Sequence, residues 1–436
     1  MASVALVVLD TLRKNSFESH FDWIPGTRFD HCLATSNWTI PTHASLFTGR
    51  YASEVGTYAR STDLDSDYPT LGRVTTDHTS RFYSANPQMG YFEGWTKPYD
   101  DVMSPWEIKQ PDSTHLVDWD QFAVTCDETG PTRYFEALKT AIRHDGPTLR
   151  SLKKGYEASM LDRTDSDDSG ARAIRDRLRE TSFDDEEFVF VNLMEAHSPY
   201  TPPAEYRTTD ETVDPVFADR WAENPPDEQL ARHAYDDAVR YLSDAYEEIF
   251  AELTEAVDYV VTVADHGELL GEHGHWNHVH GLFPELTHVP LVISGADVPE
   301  ANTETVVSLL EVHRTVAELL GVADRTNGRG RSLLSPIDPE PQFTEFHGLP
   351  QWIGAQLENY GVSDQYDTYD EPLYGVWHPE DGYEYQSVER PAESISNQRH
   401  RELIEEFTGT VPTKLKRTGT DVDDAVREQL EDLGYA

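Results

Sequence analysis

Ser3-Val4-Ala5-Leu6-Val7-Val8-Leu9-Asp10 opens the chain with an almost wholly apolar run that ends on a carboxylate. Such a run, rich in Val, is typical of a strand covered on both faces of a sheet. Three later runs share this character: residues 188–194 (FVFVNLM), 259–264 (YVVTVA) and 289–294 (VPLVIS). Helical patterns at 227–256 and 305–320 neighbour these strands. The alternation predicts an α/β fold, with a mostly parallel sheet flanked by helices on both faces.

The charge balance is strongly acidic. Asp and Glu number 80 against 35 Lys and Arg, which gives a formal net charge of −45. Such a charge repels nucleic acid and anionic membranes, so we expect neither as a partner. The acidic residues recur between apolar segments that a disordered acidic chain would lack. The composition therefore predicts a folded protein with an acidic surface, suited to concentrated salt, and a halophilic source.

Cysteine content and apolar run length bear on the compartment. Cys32 and Cys126 are the only two cysteines, which excludes a disulfide framework and a Cys-based zinc site. The apolar run at 3–9 has neither a basic region nor a cleavage site, and no run approaches the ~18 residues that cross a bilayer. We therefore expect a cytoplasmic protein without a membrane span.

The pattern predicts two parts of unequal size. Residues 1–330 form the expected catalytic domain, within which 91–185 is a variable insertion that shapes the substrate pocket. The passage at 325–342 (RTNGRGRSLLSPIDPEPQ) is rich in Gly, Arg and Pro and marks the boundary. Residues 331–436 form a small C-terminal α+β subdomain, with an antiparallel sheet within 343–391 and an amphipathic helix at 421–433.

Three chemical groups follow predicted strands or open a helix. Asp10 and the pair Asp265-His266 come directly after apolar strands, and Thr39 precedes Pro41 and an apolar helical run. In open α/β sheets, ligands bind beyond the carboxyl ends of the strands. Two carboxylates and an imidazole suit a divalent cation, and Gly267 allows close backbone approach. We predict one cation, Ca, Mg, Mn or Zn, held by Asp10, Asp265 and His266 with the Thr39 oxygen as a further ligand.

Helix capping is the alternative explanation for two of these residues. Asp at such a junction often caps a helix, and Thr39 is well placed to cap the helix that begins near Pro41. For Thr39 the two roles are compatible, because a helix N-terminus also attracts a phosphoryl or sulfuryl group. His43 lies one turn further on and can point at the same anion.

Several histidines follow the predicted strand ends. His197 comes after the strand at 188–194, and the loop after Asp265 carries His273, His275, His278 and His280. A solvated polar loop explains His275 best. His278 and His280 are better placed to meet an anion or to protonate a leaving group, and the sequence leaves open which of them does so.

Together these motifs resemble the sulfatase family of the alkaline phosphatase superfamily. The nucleophile motif matches at Pro41, Thr42, Leu46, Thr48, Gly49 and Arg50. VLDTLR at 8–13, His197-Ser198-Pro199-Tyr200, and ADHGELLGEHG at 264–274 are similar to the family's other site elements. The resemblance implies an alkaline-phosphatase-like fold and sulfate-ester hydrolysis. It also implies anion contacts from Arg13, His43 and His197, with Arg50 and Asn86 as further substrate-binding residues.

Departures from the family pattern bear on the substrate. Family sulfatases convert a Cys or Ser into formylglycine, and the extra methyl of Thr39 blocks that conversion. The motif's Arg is His43 here, and a second Asp beside the first metal ligand is Thr11. Ser84-Ala85-Asn86-Pro87 replaces the family's Gly-Lys element, which supplies an anion-binding Lys. Thr nucleophiles in the wider superfamily accompany phosphoryl, phosphodiester and phosphoethanolamine transfer.

The resemblance thus implies a metal-dependent hydrolase of a sulfate or phosphate ester that works through a covalent Thr39 intermediate. Its catalytic residues would be Thr39, His43, His197, His278 and His280. The substrate would be a small-molecule, saccharide or glycolipid ester. A phosphodiester hydrolase or phosphoethanolamine-type transferase is the alternative, and a catalytically silent binding protein on the same scaffold is the third hypothesis.

Overall fold

An eight-stranded sheet forms the centre of the computed structural model. The structure describes residues 2–64, 68–90, 93–109, 116–119, 121, 122, 126, 130–160, 168–389, 391 and 394–415. The strands are β1 Val4–Leu9, β2 Thr27–Phe29, β3 Cys32–Leu33, β4 Thr79–Ser84, β5 Asp101–Met103, β6 Glu187–Leu193, β7 Tyr259–Val263, β8 Leu269–Leu270, β9 Trp276–Asn277, β10 His288–Val289, β11 Leu291–Gly295, β12 Ala301–Thr303, β13 Val307–Ser308, β14 Gln342–Phe346, β15 Leu373–His378 and β16 Gly382–Tyr385.

The longer α-helices are α1 Lys14–His20, α2 Thr39–Thr48, α3 Gly130–Arg143, α4 Thr148–Met160, α5 Ala171–Glu180, α6 Glu228–Ala256, α7 Leu309–Leu319, α8 Ile353–Asn359 and α9 Gln398–Thr410. Short α-helices lie at Ala52–Val55, Leu71–Val74, Pro87–Gly90, Glu93–Thr96, Pro105–Lys109, Pro284–Thr287 and Tyr366–Tyr369. Single 3₁₀ turns lie at Phe217–Trp221, Glu272–Gly274, Ala323–Arg325 and Ser363–Gln365.

The strand order of the central sheet is β12-β2-β11-β7-β1-β6-β4-β5. Strands β7, β1, β6, β4 and β5 run parallel, whereas β11 is antiparallel to both β7 and β2. The predicted mostly parallel sheet is therefore confirmed. β1 and β6 are buried along their whole length, as their predominantly apolar sequences indicate.

Helices cover both faces of this sheet. Phe190 of β6 lies in register with Leu6, and its ring centroid is 4.9 Å from that of Phe47 on α2. Thr262 of β7 is paired with the next residue of β1, Val7, so its side chain points to the opposite face. There it hydrogen-bonds the hydroxyl of Tyr246 on α6, at 2.6 Å. Helices α2 and α6 therefore enclose the sheet from opposite sides, as predicted.

The C-terminal region forms a second, smaller sheet. β14, β15 and β16 pair antiparallel, where the sequence predicts such a sheet. The sheet is joined to the rest of the chain, since Glu345 accepts hydrogen bonds from the backbone N–H and hydroxyl of Ser53, at 2.8 and 2.7 Å. The helix predicted at 421–433 lies outside the described residues. The division at residue 330 stays a prediction.

The segment predicted as an insertion also contributes to the central sheet. Within 91–185, β5 pairs with β4 as the edge strand, and α5 packs against α6. Its other long helices, α3 and α4, contact each other. Residues 91–185 thus combine part of the scaffold with a separate helix pair.

A buried carboxyl ties α5 to the sheet. Glu195 follows β6, and its Oε1 accepts the backbone N–H of Ala171, the first residue of α5, at 2.7 Å. Burial, and then the nearby charge of Asp168, raise the pKa of Glu195 to about 8 from an ordinary value of 4.5. The folded state therefore holds a proton that the unfolded chain releases between these two values.

This proton makes stability depend on pH in a defined direction. As pH rises from about 4.5 to about 8, the free energy of unfolding should fall in the wild type relative to Glu195→Gln, by at most about 1.4 kcal/mol per pH unit. Urea unfolding at several pH values in this window measures the difference. Glu255→Gln, at an exposed position, is the control and should follow the wild type. Parallel curves for the wild type and Glu195→Gln would contradict the assignment.

Candidate metal and nucleophile site

Four neighbouring strands deliver polar side chains to one edge of the sheet. Asp265 follows β7, Asp10 follows β1, Asn192 lies near the end of β6, and Asn86 follows β4. Because these strands are adjacent and parallel, their carboxyl ends lie side by side. The predicted placement of Asp10 and Asp265 at a shared edge therefore agrees with the structure.

The side chains of Asp10, Asp265 and His266 converge, with one ligand atom from each within 4.8 Å of the others. All three are fully buried. His266 Nε2 lies 3.9 Å from Asp10 Oδ1, 3.3 Å from Asp265 Oδ2 and 3.3 Å from Thr39 Oγ1. Four residues from three distant parts of the chain thus surround one point.

Each carboxylate keeps one oxygen available at this point. Asn86 and Asn192 donate to Asp10 Oδ2, at 3.1 and 3.2 Å, and the backbone N–H of Thr11 donates to Asp265 Oδ1, at 3.3 Å. Among the described residues, Asp10 Oδ1 and Asp265 Oδ2 have no hydrogen-bond partner. Buried carboxylate oxygens without donors are costly unless a cation is bound. The two oxygens and the imidazole nitrogen therefore fit a divalent cation.

The state of His266 fits the same role. Its Nδ1 lies 2.8 Å from the carbonyl of Gly267, which can only accept, so Nδ1 carries the proton and Nε2 presents a lone pair. Burial holds the pKa of His266 well below its usual range, which keeps the ring neutral. Burial, together with the charge of Asp10, raises the pKa of Asp265 well above its usual range. A neutral imidazole is the metal-binding form, and a cation would relieve the repulsion between the carboxylates.

Helix capping accounts for neither Asp10 nor Thr39. Arg13 is the N-cap of α1, and Trp38, not Thr39, is the N-cap of α2. Neither helix start has a side-chain capping hydrogen bond. The loop before Thr39 is fixed instead by Asn37, whose side-chain amide donates to the carbonyl of His278 at 2.7 Å.

The backbone around the cluster is constrained at two points. Thr11 has a φ of 57°, which is unusual for a β-branched residue, and its carbonyl accepts the Tyr235 hydroxyl at 2.8 Å. A Cβ on Gly267 would lie 2.0 Å from the carbonyl oxygen of Glu285. Strained backbone of this kind is concentrated at functional sites. The close approach predicted for Gly267 is therefore present.

His43 is oriented by its own helix. Its Nδ1 lies 2.9 Å from the carbonyl oxygen of Thr39, so Nδ1 donates the hydrogen bond. The same atom lies 3.5 Å from Asp265 Oδ2, which places the ring beside the cluster. Burial lowers the pKa of His43 to about 4. His43 therefore occupies the site as a neutral ring, unlike the permanently charged Arg of the family motif.

A second group of side chains borders the cluster. The ring of His278 lies 4.5 Å from that of His266 and 5.1 Å from that of His197. Its Nδ1 lies 3.2 Å from Glu268 Oε1. Burial raises the pKa of Glu268 to about 8 and lowers that of His278 to about 3, the latter with a contribution from His197. The structure thus brings His197 and His278 to the site, together with Glu268.

Two residues of the site were missed from the sequence. Asn192 interrupts an otherwise apolar strand, and this polar position was the available signal. Glu268 follows the Asp-His-Gly turn and precedes two leucines, and a carboxylate at such a position is predicted to be an exposed loop residue. Its burial depends on contacts with distant segments, which the local pattern does not contain.

The structure does not place Arg50 at the cluster. Arg50 follows the C-terminal end of α2. At the rise of about 1.5 Å per residue of an α-helix, it lies about 16 Å along the helix axis from Thr39. Its guanidinium binds Glu54 and Asn327 instead. The helix thus carries Arg50 to the opposite end of the motif from Thr39, and its predicted role in substrate binding stays a prediction.

Three further expectations need correction or refinement. His280 packs among aromatic rings and not beside His266. Its ring centroid lies 4.8 Å from that of Tyr369 and 5.2 Å from that of Phe346. Asn86 reaches the site but contacts Asp10, so it supports a metal ligand. Arg13 lies next to the site, where its guanidinium binds Glu272 at 2.8 Å.

None of the described helices is long and apolar enough to cross a membrane.

Comparison with known proteins identifies the family. The model of the family described as Sulfatase matches residues 13–322, which is more than half of the chain. The chain belongs to the sulfatase family. Its central sheet and flanking helices form the alkaline-phosphatase-like α/β fold of this group.

Individual relatives of this sulfatase-family chain are distant. The uncharacterized sulfatase YidJ of Escherichia coli (strain K12) is 23% identical over 350 residues, which cover 74% of this chain and 66% of YidJ. Arylsulfatase K of Xenopus laevis is 32% identical over 126 residues, 26% of this chain and 23% of that protein. The structure is similar to that of the phosphonate monoester hydrolase SpPMH from Silicibacter pomeroyi, with a TM-score of 0.61, 16% identity, and coverage of 94% and 95% of the two chains. The matches thus span less than two thirds of these curated relatives.

The hydrogen bond from Asn192 to Asp10 should contribute to the affinity of the site for a divalent cation. Asn192→Leu removes a donor to Asp10 Oδ2 and should weaken divalent-cation binding by about 10–100-fold, the usual effect of losing a hydrogen bond to a metal ligand. Asp265→Asn should remove the site. Isothermal titration of the metal-stripped protein with Mn²⁺, Mg²⁺, Ca²⁺ and Zn²⁺ tests both. Asn302→Leu, on the exposed strand β12, is the matched control, and equal affinity in all variants would place the metal elsewhere.

Proposed function

We propose that this sulfatase-family chain is a metal-dependent ester hydrolase with Thr39 as its nucleophile. The observation that carries the proposal is the position of Thr39 Oγ1, 3.3 Å from His266 Nε2 and at the edge of the Asp10–Asp265–His266 cluster. Thr39 is also the first residue of α2, so backbone N–H groups at the start of the helix face an anion bound there. Both features suit attack by an alcohol on an anionic ester.

The roles of the side chains follow from their positions. A divalent cation held by Asp10, Asp265, His266 and Thr39 would lower the pKa of the bound hydroxyl and polarise the sulfuryl or phosphoryl group. Thr39 gives its hydroxyl proton to water, and its oxygen attacks in line as the bond from sulfur or phosphorus to the departing oxygen breaks, which leaves a covalent ester. His43 and His197 contact the anion. His278 donates its Nε2 proton to the departing alcohol and takes a proton at Nδ1 from Glu268, whose Oε1 lies 3.2 Å away and which is left as a carboxylate. Water then cleaves the ester and restores the Thr39 hydroxyl.

The charge around the site favours a singly charged ester. His43 replaces the motif's Arg, and residues 84–87 (SANP) replace the element that supplies the family's Lys, so two permanent positive charges of the family pattern are missing at these positions. Arg13 shares the carboxylate of Glu272 with Arg232, at 2.8 and 2.6 Å, so its charge is balanced only in part. A phosphate monoester carries up to two charges, whereas a sulfate monoester carries one. Sulfate-ester hydrolysis, on a small-molecule, saccharide or glycolipid substrate, is therefore our first assignment.

Phosphodiester hydrolysis is the second candidate, because Thr39 itself favours it. A threonine cannot become formylglycine, and Thr nucleophiles in the wider superfamily act on phosphorus esters. A phosphodiester also carries a single charge, so it fits the same site. If an alcohol replaces water in the second step, the same residues act as a transferase.

Removal of the Thr39 hydroxyl tests the nucleophile. Thr39→Ala should lower kcat at least about a thousand-fold, since the covalent step is lost, while Thr39→Ser retains an alcohol and should keep measurable turnover. The reaction class is identified by comparing turnover of matched aryl sulfate, aryl phosphate and aryl phosphodiester substrates, each with several divalent metals. Retained turnover in Thr39→Ala would remove Thr39 from the mechanism. A wild type that binds metal but turns over none of these substrates would favour the silent binding protein.

The leaving-group role distinguishes His278 from His280. His278→Gln should slow the hydrolysis of esters of poorly acidic alcohols by about 10²–10⁴-fold. The hydrolysis of nitrophenyl esters should be slowed much less, because a good leaving group needs no proton. His280→Gln is the matched control and should leave this dependence unchanged. Steady-state rates over a series of leaving groups measure it. A uniform loss across the series would assign His278 to binding rather than to proton transfer.

A further inference from the structure

Helices α3 and α4, hereafter the 130–160 helix pair, expose large apolar side chains. On α3, Tyr134, Phe135, Leu138 and Ile142 are 43–81% exposed, and on α4 the exposed fractions of Leu149 and Tyr156 are 84% and 67%. The α3 residues fall within about a 100° stripe of one helix face. Elsewhere in the described chain, the large apolar side chains exposed by more than 36% are Leu334 and Tyr360.

The opposite side of α4 packs against Trp119, which lies within the same 91–185 segment. Ser151 is buried, and its carbonyl accepts the indole N–H of Trp119 at 2.7 Å. A Cβ on Gly155 would lie 2.7 Å from the same indole ring. Ser151 and Gly155 lie on one side of the helix, and Leu149 and Tyr156 lie on the other. The exposed apolar residues are therefore the outer face of an anchored helix.

The same outer region is basic in an otherwise acidic protein. Residues 130–160 contain six Lys and Arg against three Asp and Glu, a net charge of +3, whereas the whole chain carries −45. The six basic residues are Arg133, Lys139, Arg143, Arg150, Lys153 and Lys154. They are interleaved with the apolar residues. The Lys139 ammonium, for example, lies 5.7 Å from the ring centroid of Phe135 and is paired with Glu136 Oε1 at 2.6 Å. Basic and apolar side chains on one amphipathic helix are typical of binding to a lipid surface.

A second copy of the chain is a poorer match for this face. The rest of its described surface offers two scattered large apolar side chains, and pairing two copies of the 130–160 helix pair would oppose two net positive charges. An anionic bilayer satisfies both features, because its head groups bind Lys and Arg and its acyl boundary accepts the apolar side chains. The acidic remainder of the protein is screened beyond about 8 Å at physiological ionic strength.

We propose that the 130–160 helix pair binds the surface of an anionic lipid bilayer, with its apolar side chains at the head-group boundary. This attachment differs from the expectation, drawn from the net charge alone, that membranes are not partners. It also brings the chain to a surface where glycolipid esters lie. The attachment itself does not depend on the proposed reaction.

Vesicle binding by the full-length protein tests the proposal. Co-sedimentation with phosphatidylglycerol vesicles should exceed that with phosphatidylcholine vesicles at about 0.15 M salt, and the preference should shrink at about 1 M salt, where the screening length falls to about 3 Å. The triple variant Lys139→Gln, Arg150→Gln, Lys153→Gln should bind about a hundred-fold more weakly, from about five-fold per basic residue. Phe135→Ser with Leu149→Ser should lose binding at both salt concentrations.

Matched variants elsewhere on the surface serve as controls. Lys97→Gln with Arg399→Gln removes two exposed positive charges, and Leu334→Ser with Tyr360→Ser removes the other exposed apolar side chains. These variants should bind vesicles like the wild type, and near-ultraviolet circular dichroism should show all variants folded. Equal binding to both lipids, or unaltered binding by the helix-pair variants, would overturn the proposal. So would self-association in sedimentation equilibrium that Phe135→Ser with Leu149→Ser abolishes.

Discussion

The structure depends on holding two buried carboxylates, Asp10 and Asp265, at one point of the sheet edge. Each has one oxygen fixed by a hydrogen bond and one oxygen without a donor among the described residues. Two such charges repel each other and lose their hydration, a cost that an imidazole alone does not offset. A divalent cation between them and His266 would remove the repulsion. The remaining features of the site are best understood as means of bringing a hydroxyl and an anionic ester to that cation.

The central sheet provides the rigidity that this arrangement needs. Strands β7, β1, β6 and β4 are adjacent and parallel, so residues at their ends are held by the hydrogen-bond ladders between them. Local backbone choices then set the final angles, through the positive φ of Thr11 and the close approach of Gly267 to Glu285. A site built this way tolerates variable surroundings. The nucleophile and the anion contacts differ from the family pattern, as does Thr11 beside Asp10, while Asp10, Asp265 and His266 still converge at the edge of the sheet.

The sequence was sufficient for the parts that depend on local pattern. Apolar runs predicted β1, β6, β7 and β11, and strand ends predicted the convergence of Asp10 with Asp265. Contacts between distant segments were not accessible in this way. Whether His278 or His280 faces the cluster depends on how one loop packs against Glu268 on one side and Tyr369 on the other. Arg50 shares the motif of Thr39 in sequence, but the helix separates them in space.

The charge of the whole chain was a poor guide to its local surfaces. A net charge of −45 predicts repulsion from any anionic partner, yet residues 130–160 carry a net positive charge. Electrostatic effects extend over about one screening length, so a patch acts through its own charge and not through the total. The sequence of α3 has the apolar periodicity of a helix packed on a core. Only the structure shows that these apolar side chains are exposed.

Anomalous diffraction from crystals grown with Mn²⁺ or Zn²⁺ tests the central claim most directly. The account predicts one strong peak per chain, about 2.0–2.3 Å from an oxygen of Asp10, an oxygen of Asp265, His266 Nε2 and Thr39 Oγ1. A peak that lies elsewhere, or a metal bound without Asp10 and Asp265 together, would contradict it.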